Sequence, residues 1–179
     1  MEHMQCVWSD SSLLSSNVSL WLPLPCGILK LNVDAAMFQS VANITVIARN
    51  EADCLMKAWA KPFNTSDPLV VEAAVILWAI QVAKKENWGN ICVESYSKIC
   101  VDYLLQANSV SSWNIEVLCG DAMSLAAEFN FCSFCWVKRE ANMIAHTLAK
   151  LVTPSKLTTV FSPNNLPFLV EEAWFRDFK

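Results

Sequence analysis

Hydrophobic and polar side chains alternate with a period of two in several short stretches of the chain. In the segment ILKLNVDAA, residues 28–36, this alternation is typical of a β-strand with one apolar face. Similar patterns predict two further strands at 43–49 and 53–61, joined by a polar hairpin step at 50–53. Later in the chain, short apolar runs predict strands at 90–96 and 131–138.

Helical patterns occupy most of the chain after the third strand. The clearest helix covers residues 70–87, with Asp67 as its N-cap and Pro68 at its first position. Three more helices are predicted at 97–108, 113–129 and 140–152. Three meandering strands followed by strand–helix alternation indicate an α/β domain, a mixed sheet with helices on both faces.

We expect three parts along the chain. These are an extended lead-in at 1–27, the domain at 28–153, and a tail at 154–179. The tail is rich in aromatic residues and ends in an amphipathic stretch at 169–178, so we expect it to pack on the domain.

Composition agrees with a folded domain and narrows its function. Apolar residues make up 54% and charged residues 17% of the 179 residues, which excludes a disordered chain. Three glycines nearly exclude a glycine-rich phosphate-binding loop. The net charge of −4 argues mildly against strong nonspecific binding of nucleic acid.

The cysteines and the N-terminal residues bear on the compartment. No basic-then-apolar signal sequence is seen, and several of the eight cysteines lie in apolar runs, where a reduced cysteine packs as a small hydrophobic residue. The longest nearly apolar stretch, 69–83, is shorter than the roughly 20 residues that cross a membrane. We therefore expect a nuclear or cytoplasmic protein that is not secreted.

Two carboxylates stand in unusual places. Asp34 lies in a strand, where aspartate is disfavoured, and Glu72 lies in the first turns of the most apolar helix. Taken singly, Asp34 is explained as a strand-end residue and Glu72 as an acid that favours the helix N-terminus. Taken together, they could converge at one end of the sheet and bind Mg²⁺ or Mn²⁺, which prefer carboxylate oxygens.

Five segments carry a resemblance to a known family. In chain order they are WLPLPCGILKLNVDAA, VEAAVILWAIQVAKK, ICVESYSKICVDYL, FCSFCWVKREANMIAHTLAKL and PFLVEEAWF. With these segments the chain resembles the type-1 ribonuclease H superfamily, and it looks closest to plant ribonuclease H-like domains related to non-LTR retroelements. The resemblance implies a five-stranded mixed sheet whose first three strands are antiparallel. It also implies cleavage of the RNA strand of an RNA–DNA hybrid, with four acids that hold two divalent ions.

The matching positions contain only part of that acidic site. By motif, the first acid falls on Asp34 in NVDAA and the second on Glu72 in VEAA. Tyr96 stands at the third position, in ESYS, and His146 at the fourth, in NMIAHTLA. An imidazole still binds metals, whereas a neutral phenol is a poor ligand for hard cations. The resemblance thus predicts a weakened Mg²⁺ or Mn²⁺ site at Asp34, Glu72 and His146, with hydrolysis impaired by Tyr96. The alternative is a catalytically inactive module that binds nucleic acid or a protein.

Smaller departures surround these positions. Glu94, two residues before Tyr96, could substitute in part, although it lies about 7 Å further back along the strand. Glycines expected after the first acid and in the second strand are absent, at Ala35 and at 42–43, which predicts an altered backbone there.

The remaining candidates concern contacts with a partner. Lys138 and Arg139, together with Asn142, are candidate contacts to nucleic acid, although the two cations could equally form a solvated strand end. Cys132-x-x-Cys135 has a zinc-like spacing, but core packing is favoured because no second pair accompanies it. The expected partner is RNA–DNA hybrid or another nucleic acid. The chain is expected to be a monomer or part of a larger retroelement-type protein.

Overall fold

A computed structural model describes residues 24–39, 41–106, 113–152 and 157–177. Most of the predicted lead-in, the end of the second predicted helix at 107–108 and the last residues of the amphipathic tail lie outside the described residues.

A mixed β-sheet forms the centre of the described structure. Its strands are β1 (Leu29–Phe38), β2 (Val41–Arg49), β3 (Leu55–Asn64), β4 (Asn90–Ser95), β5 (Phe131–Trp136) and β6 (Thr159–Phe161). They lie in the order β5-β4-β1-β2-β3-β6, with β1, β2 and β3 antiparallel and with β4 and β5 parallel to β1. The fold class is confirmed, but the described sheet has six strands instead of the expected five, because part of the tail pairs with β3 as β6.

Five helices accompany the sheet. They are α1 (Pro68–Lys85), α2 (Lys98–Leu104), α3 (Trp113–Ala126), α4 (Met143–Leu151) and α5 (Phe168–Asp177). The predicted start of α1 is confirmed, since the carboxylate of Asp67 accepts hydrogen bonds from the backbone N–H groups of Leu69 and Val70 at 2.9 and 3.3 Å. The start of the last predicted helix was wrong by three residues, because a 3-10 turn at Arg139–Asn142 precedes α4.

Helices cover both faces of the sheet, as predicted. On one face, residues of α1, α2 and α3 pack with Leu31 and Val33 of β1 in the larger core. On the other face, Ile144 and Leu148 of α4 pack with Ile47 of β2 and with two residues of the tail, Leu166 and Val170. The alternation of β1 therefore sends its polar side chains towards α4 and not towards solvent.

Two local predictions about the sheet were wrong. Pro62, one residue beyond the predicted end of the third strand at 61, lies inside β3 and is paired with Asn43. A proline is tolerated there because β6 pairs only with Ala58–Ala60, which leaves the rest of β3 at the sheet edge. The missing glycines do not interrupt the sheet, since the β1–β2 pairing continues through Ala35. Asn43 instead donates from Nδ2 to the backbone oxygens of Ala149 and Val152, at 3.0 and 2.9 Å, and so holds the end of α4.

The tail contacts the domain through α5. Trp174 donates from its indole nitrogen to the backbone oxygen of Asp53 at 2.9 Å, whereas Phe168 and Phe175 are exposed. None of the helices in the described part of the chain is long and apolar enough to cross a membrane. The seven cysteines within the described ranges are all free thiols.

Candidate functional site

Asp34 lies at the end of the polar face of β1, next to α4. Its carboxylate is 5% exposed, and Oδ2 lies 2.7 Å from Nδ1 of His146. The hydroxyl of Thr45 lies within hydrogen-bond distance of the backbone oxygens of Asp34 and Ala145, at 3.2 and 3.1 Å. The structure therefore brings two predicted site residues, Asp34 and His146, into direct contact and ties α4 to β1 and β2 beside them.

Glu72 faces the same region from the first turns of α1. Burial raises the pKa of its carboxyl to about 8, and the negative charge of Asp34 adds to this rise, while Arg139 opposes it. Oε2 of Glu72 is buried and has no hydrogen-bond partner within the described residues. Glu72 is thus close enough to Asp34 for the two charges to interact, and the raised pKa favours the protonated form of its carboxyl.

Tyr96 directly follows β4, whose last residue is Ser95. Because Val33 of β1 pairs with Ser95, Tyr96 lies level with Asp34 across the sheet. Its side chain is 40% exposed, and the guanidinium of Arg139 lies 4.6 Å from the centre of its ring. This position holds an aromatic ring and a cation, where the resemblance implies a carboxylate.

Glu94 does not replace the missing acid. Its Oε1 forms an ion pair with Nζ of Lys30 at 2.7 Å, and its Oε2 accepts a hydrogen bond from Nδ2 of Asn32 at 2.8 Å. It is 7% exposed. Both oxygens are occupied inside the protein, which corrects the expectation that Glu94 could serve the site in part.

A buried set of polar side chains continues from Glu94 beneath α4. We call it the internal network, and its members are Lys30, Asn32, Arg49, Asp53, Glu94 and Asn142. Oδ1 of Asn32 accepts from Nε of Arg49 at 3.1 Å, and Nη1 of Arg49 forms an ion pair with Asp53 at 2.9 Å. The internal network as a set was not predicted from the sequence. The signal was present, since the residues that alternate with the apolar side chains of β1 are Lys30 and Asn32 as well as Asp34.

Asn142 belongs to the internal network, although the sequence suggested a contact with nucleic acid. It is 1% exposed, donates from Nδ2 to the backbone oxygen of Val33 at 2.8 Å, and accepts from Asn32 at 3.2 Å. Both polar atoms of its side chain are used within the protein. In this arrangement Asn142 holds the start of α4 against β1 and is not a surface contact.

The other predicted contacts lie on the surface or in the core. Lys138 and Arg139 are exposed after the end of β5. Cys132 is buried, and Sγ of Cys135 lies 3.5 Å from Sγ of Cys92, so the two cysteines of the zinc-like spacing pack in different places.

The side chains present do not fit a site for two divalent ions. Within the described ranges, no group of three or more histidine, cysteine, aspartate or glutamate side chains is arranged to hold a metal ion. The carboxylate of Asp34 is already paired with His146, and Tyr96 brings no carboxylate to the position level with Asp34. Two acids and one imidazole therefore leave fewer anionic ligands than the four-acid arrangement implied by the resemblance.

Known proteins match both the sequence and the fold. A family described as reverse transcriptase-like matches residues 32–152, whereas no curated protein matches the sequence. Ribonuclease H1 from the halophilic archaeon Halobacterium salinarum NRC-1 has a TM-score of 0.65 and 16% identity, over 69% of this chain and 95% of that one. The N-terminal RNase H domain of a Mycobacterium tuberculosis protein has a TM-score of 0.63 and 18% identity, over 69% and 91% of the two chains. LC11-RNase H1, whose structure contains an RNA/DNA hybrid, has a TM-score of 0.60 and 16% identity, over 69% and 93%. At these identities the likeness establishes the fold.

Proposed function

Because the chain belongs to the reverse transcriptase-like family and has a ribonuclease H fold, we propose that it binds RNA–DNA hybrid and has little capacity to cleave it. The binding site we propose is the end of the sheet where Asp34, Glu72 and His146 meet. Two exposed cations that follow β5, Lys138 and Arg139, would contact phosphate groups.

Two features support binding of a nucleic acid. LC11-RNase H1, which shares the fold, has been crystallised with an RNA/DNA hybrid. In this chain the guanidinium of Arg139 stacks on the ring of Tyr96, which lies level with Asp34, so this cation lies at the same end of the sheet. A negatively charged backbone can therefore approach this end of the sheet although the whole chain carries a charge of −4.

One observation carries the proposal of weak cleavage. Tyr96 occupies the position level with Asp34 where the resemblance places a third acid, and Glu94 is held by Lys30 and Asn32. The acids that remain, Asp34 and Glu72, would bind Mg²⁺ or Mn²⁺ weakly, because they are only two carboxylates and Asp34 is already paired with His146. We therefore do not propose a two-metal mechanism of hydrolysis for this chain.

The binding part of the proposal is tested with a fluorescently labelled, blunt RNA–DNA hybrid by anisotropy. In EDTA we expect binding that weakens with added salt, and the double variant Lys138→Gln/Arg139→Gln should reduce the salt dependence by about two phosphate contacts. The matched control is Lys84→Gln/Lys85→Gln, which removes two exposed cations from the last turn of α1. Equal effects of the two double variants would contradict a site at the end of β5.

The metal part is tested by thermal melting of the protein in increasing Mn²⁺. We expect a small rise in the melting temperature at millimolar Mn²⁺ that disappears in Asp34→Asn. A large rise at micromolar Mn²⁺ would contradict a weakened site. Placement in the nucleus or cytoplasm, and membership of a larger retroelement-type protein, stay predictions.

A further inference from the structure

Two exposed aromatic residues, Tyr96 and Trp136, lie where β4 and β5 end. Ser95 is paired with Trp136, the last residue of β5, and Tyr96 follows directly. The indole N–H of Trp136 donates to the backbone oxygen of Tyr96 at 3.0 Å. This hydrogen bond holds the indole ring beside the turn that carries the tyrosine.

Both rings are left in contact with solvent. Tyr96 is 40% and Trp136 is 43% exposed, although burial of such rings is a large source of stability. The Nε1 atom of Trp136 is satisfied by Tyr96, so the exposed part of the indole is apolar surface. Exposed apolar rings at the ends of neighbouring strands are common at binding sites.

Positive charge accompanies the rings. The guanidinium of Arg139 stacks at 4.6 Å from the centre of the Tyr96 ring, and Lys138 is exposed next to it. Glu140, which is also exposed, follows as the nearest acid in the chain. Aromatic rings interleaved with cations are the combination by which proteins bind single-stranded nucleic acids, since bases stack on rings and phosphates contact cations.

We propose that Tyr96, Trp136 and Arg139 form a platform on which an unpaired nucleobase stacks, with the adjoining phosphate held by Lys138 or Arg139. This proposal rests on the proposed function, because it places an unpaired stretch of the bound strand next to Asp34. Tyr96 then contributes to binding in two ways. It removes a carboxylate that would repel phosphate, and it supplies a ring that any base can stack on.

The test compares three labelled ligands by anisotropy: a blunt RNA–DNA hybrid, the same hybrid with a short single-stranded extension, and the extension strand alone. We expect the extended hybrid to bind about tenfold more tightly than the blunt one, as one base stack would give. Trp136→Ala and Tyr96→Ala should abolish this difference, whereas Tyr96→Phe, which keeps the ring, should preserve it.

Controls separate the platform from general effects. Trp113→Ala removes an indole that is 84% exposed on α3, and it should leave the preference unchanged. Because Trp136→Ala also removes a hydrogen bond, Trp136→Phe is measured with it, together with the circular dichroism of each variant. Trp136→Phe keeps a ring and should retain most of the preference if stacking is its cause.

The outcomes distinguish this proposal from the proposed function. Binding of blunt and extended hybrids with equal affinity would overturn the platform and leave hybrid binding intact. Binding of the single strand alone, with no binding of the blunt hybrid, would support the platform and overturn hybrid binding. Absence of binding to all three ligands would overturn both and favour a protein as the occupant of the exposed rings.

Discussion

The buried charged groups along the polar face of β1 have different numbers of partners at its two ends. At the Lys30 and Asn32 end, the carboxylate of Glu94 has a partner for each oxygen, at 2.7 and 2.8 Å, and Arg49 is paired with Asp53. At the Asp34 end, one carboxylate is paired with His146, while Oε2 of Glu72 is buried without a hydrogen-bond partner among the described residues. Buried polar groups are costly unless they are satisfied, so the first end is built for stability. The second end leaves a buried carboxyl oxygen without a hydrogen-bond partner among the described residues, which is more common at ligand-binding sites than in a packed core.

The difference also explains why two acids on one strand, Glu94 and the expected acid at position 96, are not interchangeable. Glu94 lies opposite Asn32 in the parallel pairing of β1 and β4, within reach of Lys30. Moving its carboxylate to the other end would break the buried ion pair with Lys30. Because Glu94 belongs to the internal network, it does not add a carboxylate to the Asp34 end.

The largest effect is expected where this network is broken. Glu94→Gln breaks the ion pair between Glu94 and the ammonium of Lys30, whose side chain is 2% exposed. We expect the free energy of unfolding, from urea denaturation, to fall by about 3–5 kcal/mol.

A matched control is the exposed pair of Lys84 and Glu128, in which both side chains are about half exposed. Glu128→Gln should cost less than about 1 kcal/mol. If Glu94→Gln cost no more than this control, Lys30 and Glu94 would not be a buried, coupled pair.

An intermediate effect with the opposite sign is expected at Glu72. Its folded pKa is raised from 4.5 to about 8, so the folded state keeps a proton that the unfolded state releases. Stability should therefore fall as the pH rises from about 4.5 through about 8. Glu72→Gln should remove this fall and, in EDTA at pH 8.5, should stabilise the protein by about 1 kcal/mol or more relative to its effect at pH 5.

The control for this pH dependence is Glu116→Gln, which changes an exposed acid in the first turn of α3. Its effect on stability should be the same at both pH values. A Glu72→Gln variant whose effect is also independent of pH would show that Glu72 is ionised in the folded protein.

The smallest effect is expected at the link between Asp34 and α4. The hydroxyl of Thr45 has one hydrogen and two carbonyl oxygens within reach, at 3.2 and 3.1 Å. Thr45→Val keeps the shape and removes the donor, so we expect a loss of about 1 kcal/mol by urea denaturation. Ser124→Ala, which removes an exposed hydroxyl bonded to Gly120, should change stability less. Equal losses of stability would mean that the buried hydroxyl of Thr45 stabilises the protein no more than an exposed one.

Local signals in the sequence predicted the parts of the fold that depend on neighbouring residues. Asp67 and Pro68 fixed the start of α1 because capping needs only the next three residues. The alternation of β1 likewise predicted its two faces, and a mixed sheet covered by helices followed from the order of elements.

Pairings between residues far apart in the chain could not be predicted from local sequence patterns. The short strand β6 forms because β3 offers an edge about a hundred residues earlier in the chain, and Pro62 is tolerated for the same reason. At the site, motif positions predicted Asp34, Glu72 and His146, but not the partners of Glu94, which depend on the register of β1 against β4. The position of Tyr96 close to Trp136 depends likewise on the register of β4 against β5.

We propose that Tyr96 limits cleavage, and hydrolysis of a labelled RNA–DNA hybrid in Mg²⁺ and in Mn²⁺ tests this proposal most directly. Four proteins are compared on a denaturing gel: the wild type, Asp34→Asn, Tyr96→Asp and the double variant. We predict that the wild type cleaves no faster than Asp34→Asn, that Tyr96→Asp cleaves at least about tenfold faster, and that the double variant loses this gain. Cleavage by the wild type that Asp34→Asn abolishes, or a Tyr96→Asp variant as inactive as the wild type, would contradict the claim.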